Sequence, residues 1–193
     1  MRKLAALVLL VISAPLTGNN DGLIDDFNDE SSSSRLGTDW RLVTDRVMGG
    51  VSDARMQRRS VDGQRALCLS GAVSLENNGG FVQINLDLSR SGLLDASAFD
   101  GVRLVARGNG AEYNVHLKTP ATRLPWQSYR ATLTAGPAWQ EHRLPFASFH
   151  PHRLVPALDP ARLKRLGIVA IGRAMSADIC IAEIGFYQDP PAH

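Results

Sequence analysis

Apolar and polar residues alternate one by one through several separate stretches of this chain. A strict period of two fits a strand with one dry face and one wet face. In Val102-Arg103-Leu104-Val105-Ala106-Arg107, the side chains of Val102, Leu104 and Ala106 share a face. In Tyr113-Asn114-Val115-His116-Leu117-Lys118, apolar side chains alternate with polar ones, and Val82 to Asp87 and Tyr129 to Leu133 repeat the scheme. Turn-forming residues separate these runs, at Asp62-Gly63, Asn77-Asn78-Gly79-Gly80, Asp100-Gly101, Gly108-Asn109-Gly110 and Ala135-Gly136-Pro137. Leu166 to Ile171 is apolar on both faces, as a central strand requires, and Ile179 to Tyr187 supplies a last strand. Many short strands between regular turns predict an all-β sandwich. One or two short helical turns are expected, at Asp159 to Arg165, with Asp159 as N-cap and Pro160 in the first position, and between Ser91 and Ala98.

The start of the chain is of another kind. Arg2 and Lys3 precede an uninterrupted apolar run, Leu4 to Ile12, followed by Ser13-Ala14-Pro15 and Thr17-Gly18. This is the order of regions in a secretory signal. The run is shorter than the roughly 20 apolar residues that span a bilayer. The expectation is therefore a signal peptide over residues 1–18, cleaved between 14 and 18, and a single β-sandwich domain over 19–193. Such a chain is secreted, into a bacterial periplasm, without a transmembrane anchor. Losing the signal removes two of 21 basic residues and leaves 19 basic against 19 acidic. A nucleic-acid partner needs a concentrated basic stripe. Arg55, Arg58, Arg59 and Arg65 are the one dense group, and they are expected on a solvated hairpin face. Cys68 and Cys180 each lie inside a strand-like run. A disulfide between them and a pair of buried free thiols, packing as small hydrophobes, both remain open.

Catalytic and cofactor motifs fail one by one. Residues 17–28 have part of a calcium-loop spacing, but Thr17 and Asn28 stand where the end carboxylates belong. His150-Pro151-His152 has no carboxylate or cysteine near it in sequence to complete a metal site, and is expected in an exposed Pro-rich loop. His116 and His142 fall in strand patterns and are expected to be hydrogen-bonded surface residues. Gly50-Val51-Ser52-Asp53-Ala54 lacks the second glycine of a nucleophile elbow. Gly108-Asn109-Gly110-Ala111-Glu112-Tyr113 has Tyr113 in place of the third glycine of a dinucleotide loop and opens a strand, so a tight hairpin turn is expected. No enzyme activity, metal or cofactor is expected.

One segment stands apart. In Asp45-Arg46-Val47-Met48-Gly49-Gly50-Val51-Ser52, two charged residues adjoin two glycines and an adaptable methionine. On the residues alone it is either a structural loop closing the sandwich end or an exposed patch. The segment closely resembles the signature of the complex I intermediate-associated protein family, the 30-kDa assembly-factor type. Asn78-Gly79-Gly80-Phe81, Phe99-Asp100-Gly101, Arg107 to Tyr113, and Trp139 with Leu144 to Phe149 resemble its further landmarks in the same order. Two elements depart from it. Asn109 stands in the glycine-aspartate-glycine element, and His150-Pro151-His152-Arg153 replaces an arginine-glycine-arginine element.

The resemblance implies a galactose-binding-like jelly-roll sandwich and a non-enzymatic chaperone or assembly role. With a secretory signal, its partner would be a periplasmic protein, and the patch would be Asp45, Arg46, Met48, Gly49, Gly50 and Ser52. The alternative is a carbohydrate-binding module. A glycan site wants an aromatic platform with hydrogen-bonding neighbours; Trp126, Gln127 and Tyr129, with Asn114 and His116 on a neighbouring outward face, are the candidates.

Overall fold

Every alternating run becomes a strand. A computed structural model describes residues 22–29 and 31–190, so the expected signal lies outside the described residues. The strands are β1 (Leu23–Asp25), β2 (Arg41–Thr44), β3 (Asp53–Val61), β4 (Gln64–Val73), β5 (Phe81–Asp87) and β6 (Gly101–Gly108). They continue with β7 (Glu112–Lys118), β8 (Ser128–Thr134), β9 (Gln140–Pro145), β10 (His150–His152), β11 (Arg165–Ile171) and β12 (Met175–Tyr187). The first sheet runs β3-β4-β12-β6-β9, with β1 added beside β12. The second runs β10-β8-β7-β11-β5-β2. All pairings are antiparallel, and the two sheets form an all-β jelly-roll sandwich.

The inner faces carry the apolar half of each alternation. Val82, Ile84 and Leu86 of β5, Val115 and Leu117 of β7, and Leu166, Ile168 and Ala170 of β11 are buried against Leu67, Leu69, Val102, Leu104, Ile179 and Ile181 of the first sheet. A register shift between Ile181 and Glu183 interrupts the pairing of β12 with β6. Such a bulge inserts one residue and changes the phase of the alternation. Ile179, Ile181, Ile184 and Phe186 consequently all reach the core.

Several local expectations are corrected. Gly108-Asn109-Gly110 joins β6 of one sheet to β7 of the other, so it is a crossover and not a hairpin. Asn109 holds it, donating to the Ser176 carbonyl and accepting from the Tyr113 hydroxyl. His150-Pro151-His152 is edge strand β10 rather than a loop. Ser91 to Ala98 makes no helical turn, because Leu94 exchanges backbone hydrogen bonds with Leu163. Pro160–Arg162 is a 3-10 turn, with the Asp159 side chain accepting from the Ala161 N–H as expected of an N-cap. Further 3-10 turns occur at Asp45–Met48, Glu76–Asn78 and Phe146–Ser148. Of the arginine group, Arg58 leaves the solvated face and reaches buried Asp25 and the Phe27 ring.

Cys68 and Cys180 are directly opposite one another on β4 and β12 and form a disulfide. It lies outside the main core, in a small second cluster with Ala66, Ala182, Val61, Val105 and Trp139. The bond closes a sequence separation of 112 residues, and a loop of that order restricts the unfolded chain by about 4–5 kcal/mol in the chain-entropy account. Purified protein should accordingly show no alkylatable thiol before denaturing reduction, and both afterwards. Reduction should lower the unfolding free energy by about 2–5 kcal/mol, read from urea melts of the two forms.

Candidate functional site

The Asp45 to Ser52 loop is built around one carboxylate. Asp45 is 0% exposed. Its Oδ1 accepts the Ser52 N–H at 3.0 Å, and its Oδ2 accepts the Gly80 N–H at 2.6 Å and the Phe81 N–H at 3.3 Å. The Ser52 hydroxyl donates to the same carboxylate while accepting the Ser74 N–H. Burial pushes the Asp45 carboxyl up, but the hydrogen bonds from Ser52, Gly80 and Phe81 outweigh it and hold the group below the usual carboxylate range. Gly50 and Gly79 pack so closely on this carboxylate that a Cβ at either would collide with it. Gly49 turns the chain in the left-handed region, at φ 92°, where glycine is favoured.

Asp45, Gly50 and Ser52 therefore cannot touch a partner, which corrects half of the expected patch. Arg46 remains on the surface, with its Nε donating to the Ser52 carbonyl and its guanidinium near Asp53. What the hub presents outward is apolar: Val47, Met48 and Val51 of the loop, and Leu75 beside Ser74, are all exposed. The sequence reading missed Val47, Val51 and Leu75. The phase of the turn that exposes them depends on the buried carboxylate.

A second surface is the outward face of the sheet containing β7. Register places His150, Arg130, His116, Gly167, Asn85 and Arg41 in one row across its six strands. His152 and Ser128, and then Lys118, Arg165 and Asp87, occupy the neighbouring row. At the centre, His116 is 7% exposed and Asn85 5% exposed. His116 Nε2 and Asn85 Oδ1 have no hydrogen-bond partner. Between them Gly167 has no side chain, and a Cβ there would meet only ordinary contacts at 3.5 Å and beyond. Gly167 thus stands without a side chain between two unpartnered polar groups, with the Gln83 side chain close by. A buried polar group without a partner costs about 1–3 kcal/mol, so sites of this kind need an explanation.

The surroundings are cationic. Arg165 and Arg41 both pair with Asp87. Lys118 donates only to the Pro125 carbonyl and Arg130 only to the Ser128 hydroxyl, so neither has a carboxylate partner among the described residues. Burial, then the charges of Arg165, Lys164 and Arg130, hold Lys118 below its ordinary range. Burial, followed by the positive charges of Arg130, Lys118 and His152, pushes His116 from 6.5 down to about 3. It is a neutral imidazole, not the hydrogen-bonded surface residue expected, and His142 Nε2 is likewise buried without a partner.

The glycan set suggested by sequence divides. Asn114 and His116 do lie on the outward face. Tyr129 has the opposite parity and is 0% exposed in the core, its hydroxyl donating to the Ala157 carbonyl. Gln127 staples its own loop, accepting from the Arg123 and Leu124 N–H groups and donating to the Arg153 carbonyl. Trp126 is half exposed, in the loop that Lys118 holds through Pro125. Asn85, Lys118, Arg130, Arg165 and Gly167 were missed. Their alternation marks them as outward, but only the pairing of β5, β7, β8 and β11 brings them together. Among the described residues no group of three or more His, Cys, Asp or Glu is placed to hold a metal, and no helix is long and apolar enough to cross a membrane.

Replacing Asp45 by Ala should cost about 3 kcal/mol or more, since it strands several buried donors. Met48→Ala should change stability by less than about 0.5 kcal/mol; urea melts of both variants measure the contrast. His116 makes a separate prediction. With its folded pKa depressed, the unfolded chain takes up a proton between 6.5 and about 3 that the folded chain refuses. Stability should therefore fall as the pH drops from about 7 to about 5, and His116→Gln should flatten that slope. His142 and His152, also lowered by burial, act in the same direction and leave a residual slope.

Comparison with known proteins places this geometry in a family. The profile of complex I intermediate-associated protein 30 matches residues 26–181. A search of curated proteins returned no match. Among solved structures, the family 11 carbohydrate-binding module of the cellulosomal cellulase Lic26A-Cel5E of Clostridium thermocellum superposes with a TM-score of 0.67. It is 14% identical, over 89% of this chain and 96% of that one. The family 11 module from the same organism in complex with a β-1,3-1,4-mixed-linked tetrasaccharide gives a TM-score of 0.65 at 13% identity, over 86% and 95%. An exo-β-agarase gives 0.58 at 10% identity, over 88% of this chain but 25% of the enzyme. At these identities the likeness establishes the fold. The family rests on the sequence match, and the two motif-bearing segments within it meet at the Asp45 carboxylate: the chain belongs to the complex I intermediate-associated protein 30 (CIA30) family.

Proposed function

We propose that this protein is a secreted, non-catalytic binding module that recognises a glycan on the outward face of the β7–β11–β5 sheet. The observation that carries the reading is the pair of buried, unpartnered polar atoms, His116 Nε2 and Asn85 Oδ1, in the row on either side of Gly167. A hydroxyl-rich ligand supplies the missing partners, since each hydroxyl both donates and accepts. The solved family 11 module with a bound tetrasaccharide supports the choice, because a chain of the same fold takes a sugar. Secretion is supported by the basic, apolar and small-residue regions of the N-terminus. The Cys68–Cys180 disulfide fits the oxidising periplasm such a signal leads to.

A second reading rests on a different observation. The side chains of Val47, Met48, Val51 and Leu75 in the loops around the Asp45 hub are exposed, and exposed apolar surface can serve protein contacts. On this reading the module is a chaperone or assembly-type factor for a periplasmic protein, with Arg46 and Met48 contributing contacts.

One experiment separates the two. The mature protein is titrated with a panel of soluble glycans, followed by tryptophan fluorescence and calorimetry, beside Gly167→Val and Met48→Asp. Glycan binding lost in Gly167→Val and kept in Met48→Asp supports the sheet-face site. A panel that gives no response with folded protein removes the glycan reading. Crosslinked capture of a periplasmic protein, lost in Met48→Asp alone, would then support the second reading.

A further inference from the structure

The ligand of the sheet face can be narrowed by what its surroundings offer and lack. Neutral sugars are commonly held by stacking on planar aromatic side chains. The row His150, Arg130, His116, Gly167, Asn85 and Arg41 contains no Trp, Tyr or Phe, and neither does the neighbouring row with Lys118, Arg165 and Asp87. In their place stand four basic side chains, Arg41, Lys118, Arg130 and Arg165, against the single carboxylate of Asp87. Asp87 is already engaged by Arg41 and Arg165. Lys118 and Arg130, both partly buried, stand beside the His116–Asn85 pair, bonded only to a neutral carbonyl and a neutral hydroxyl.

Like charges crowded on one sheet face repel one another and cost stability unless an anion joins them. The centre of the site is chemically different. His116 and Asn85 are neutral groups at least nine-tenths buried, each with an unpartnered polar atom on the outward face. A neutral hydrogen-bonding centre suits hydroxyls, and a cationic rim suits carboxylates, because charge-assisted hydrogen bonds to Arg and Lys are about twice as strong as neutral ones.

We propose that the sheet face binds an acidic glycan, with sugar hydroxyls over Gly167 between His116 and Asn85, and an anionic substituent held by Lys118 and Arg130. This rests on the glycan reading of the same face and adds the charge of the ligand. A bare phosphate or a nucleic-acid backbone would answer the cations but leave the buried neutral pair without its hydroxyl partners.

The test is calorimetric titration of the mature protein with polygalacturonate and alginate (carboxylate arm), dextran sulfate (sulfate ester arm), dextran and mixed-linkage β-glucan (neutral arm) and duplex DNA (generic polyanion). Each is run with wild type, Arg130→Gln, Lys118→Met and Gly167→Val. Expected is selective binding in the carboxylate arm, weakened by added salt. Arg130→Gln and Lys118→Met should each weaken it by about tenfold, the equivalent of one charge-assisted bond. Gly167→Val should abolish it, and circular dichroism confirms that each variant is folded. Selective binding of dextran sulfate with the same variant pattern keeps the acidic glycan and assigns the anion as a sulfate ester. Tighter binding of a neutral glycan, unmoved by Arg130→Gln and Lys118→Met, overturns the acidic inference and leaves the glycan module standing. Equal binding of DNA and uronate, insensitive to Gly167→Val, overturns it as generic charge attraction. Silence in every arm overturns both.

Discussion

The end of the sandwich that carries the β2–β3 and β4–β5 connections depends on one buried carboxylate. Asp45 is buried, and it accepts hydrogen bonds from the buried amides of Ser52 and Gly80 and from the Ser52 hydroxyl. The amides of Gly80 and Phe81 lie at the entry of β5, and the amide and hydroxyl of Ser52 lie at the entry of β3. One charged side chain thus joins strands from both sheets, and the glycines around it exist because nothing larger fits. Removing the carboxylate would leave the donors, and that asymmetry makes a buried charge costly to lose. Two other polar anchors work in the same way at smaller scale. Asp25 takes the Trp40 indole N–H and the Phe27 amide near β1, and Asn109 fixes the crossover from β6 to β7.

With the end pinned in this way, the sheet faces are free to differ. The first sheet covers its outer side with a small cluster around the Cys68–Cys180 disulfide, with the Arg107 guanidinium over the Trp139 ring. Buried polar atoms without partners occur on both sides, Trp139 Nε1 and His142 Nε2 with the first sheet and His116 Nε2 and Asn85 Oδ1 with the second. On the second, Lys118 and Arg130 stand nearby without carboxylate partners among the described residues. A β-sandwich has no need of such a face for stability. Hydrophobic burial between the sheets supplies that, and unpaired polar groups detract from it. Functional sites are where a fold tolerates such a loss.

Much of this was legible in the sequence. The period of two located β5, β6, β7, β8 and much of β11 and β12, because side-chain direction along a strand is a local property. Asp62-Gly63 marked a tight turn, and both residues take positive φ there. The Asp45 to Ser52 and Asn78 to Phe81 segments were recognised as motifs, but the reason for their pairing was not. As a surface patch, Asp45 and Ser52 were misassigned, since a charged residue beside glycines gives no sign of burial until its donors are located. Tyr129 was misassigned for a simpler reason. Its position in β8 puts it on the apolar parity of that strand, so the ring packs in the core and is not available as a sugar platform.

What the sequence alone determined is the class of fold, the family, and the position and facing of the strictly alternating strands β5 to β8. These follow from alternation, turn chemistry and motif order, which are read within short windows. Tertiary structure decided which strands became neighbours. His116, Gly167 and Asn85 are far apart in the chain and form one row only because β11 pairs with β7 on one side and β5 on the other. It also decided that Asp45 is buried, since the Gly80 amide that satisfies it comes from 35 residues away. Strand faces are a local consequence of backbone geometry. Sheet order and buried charge depend on contacts between distant segments, so both the hub and the candidate site emerge only once the chain has folded.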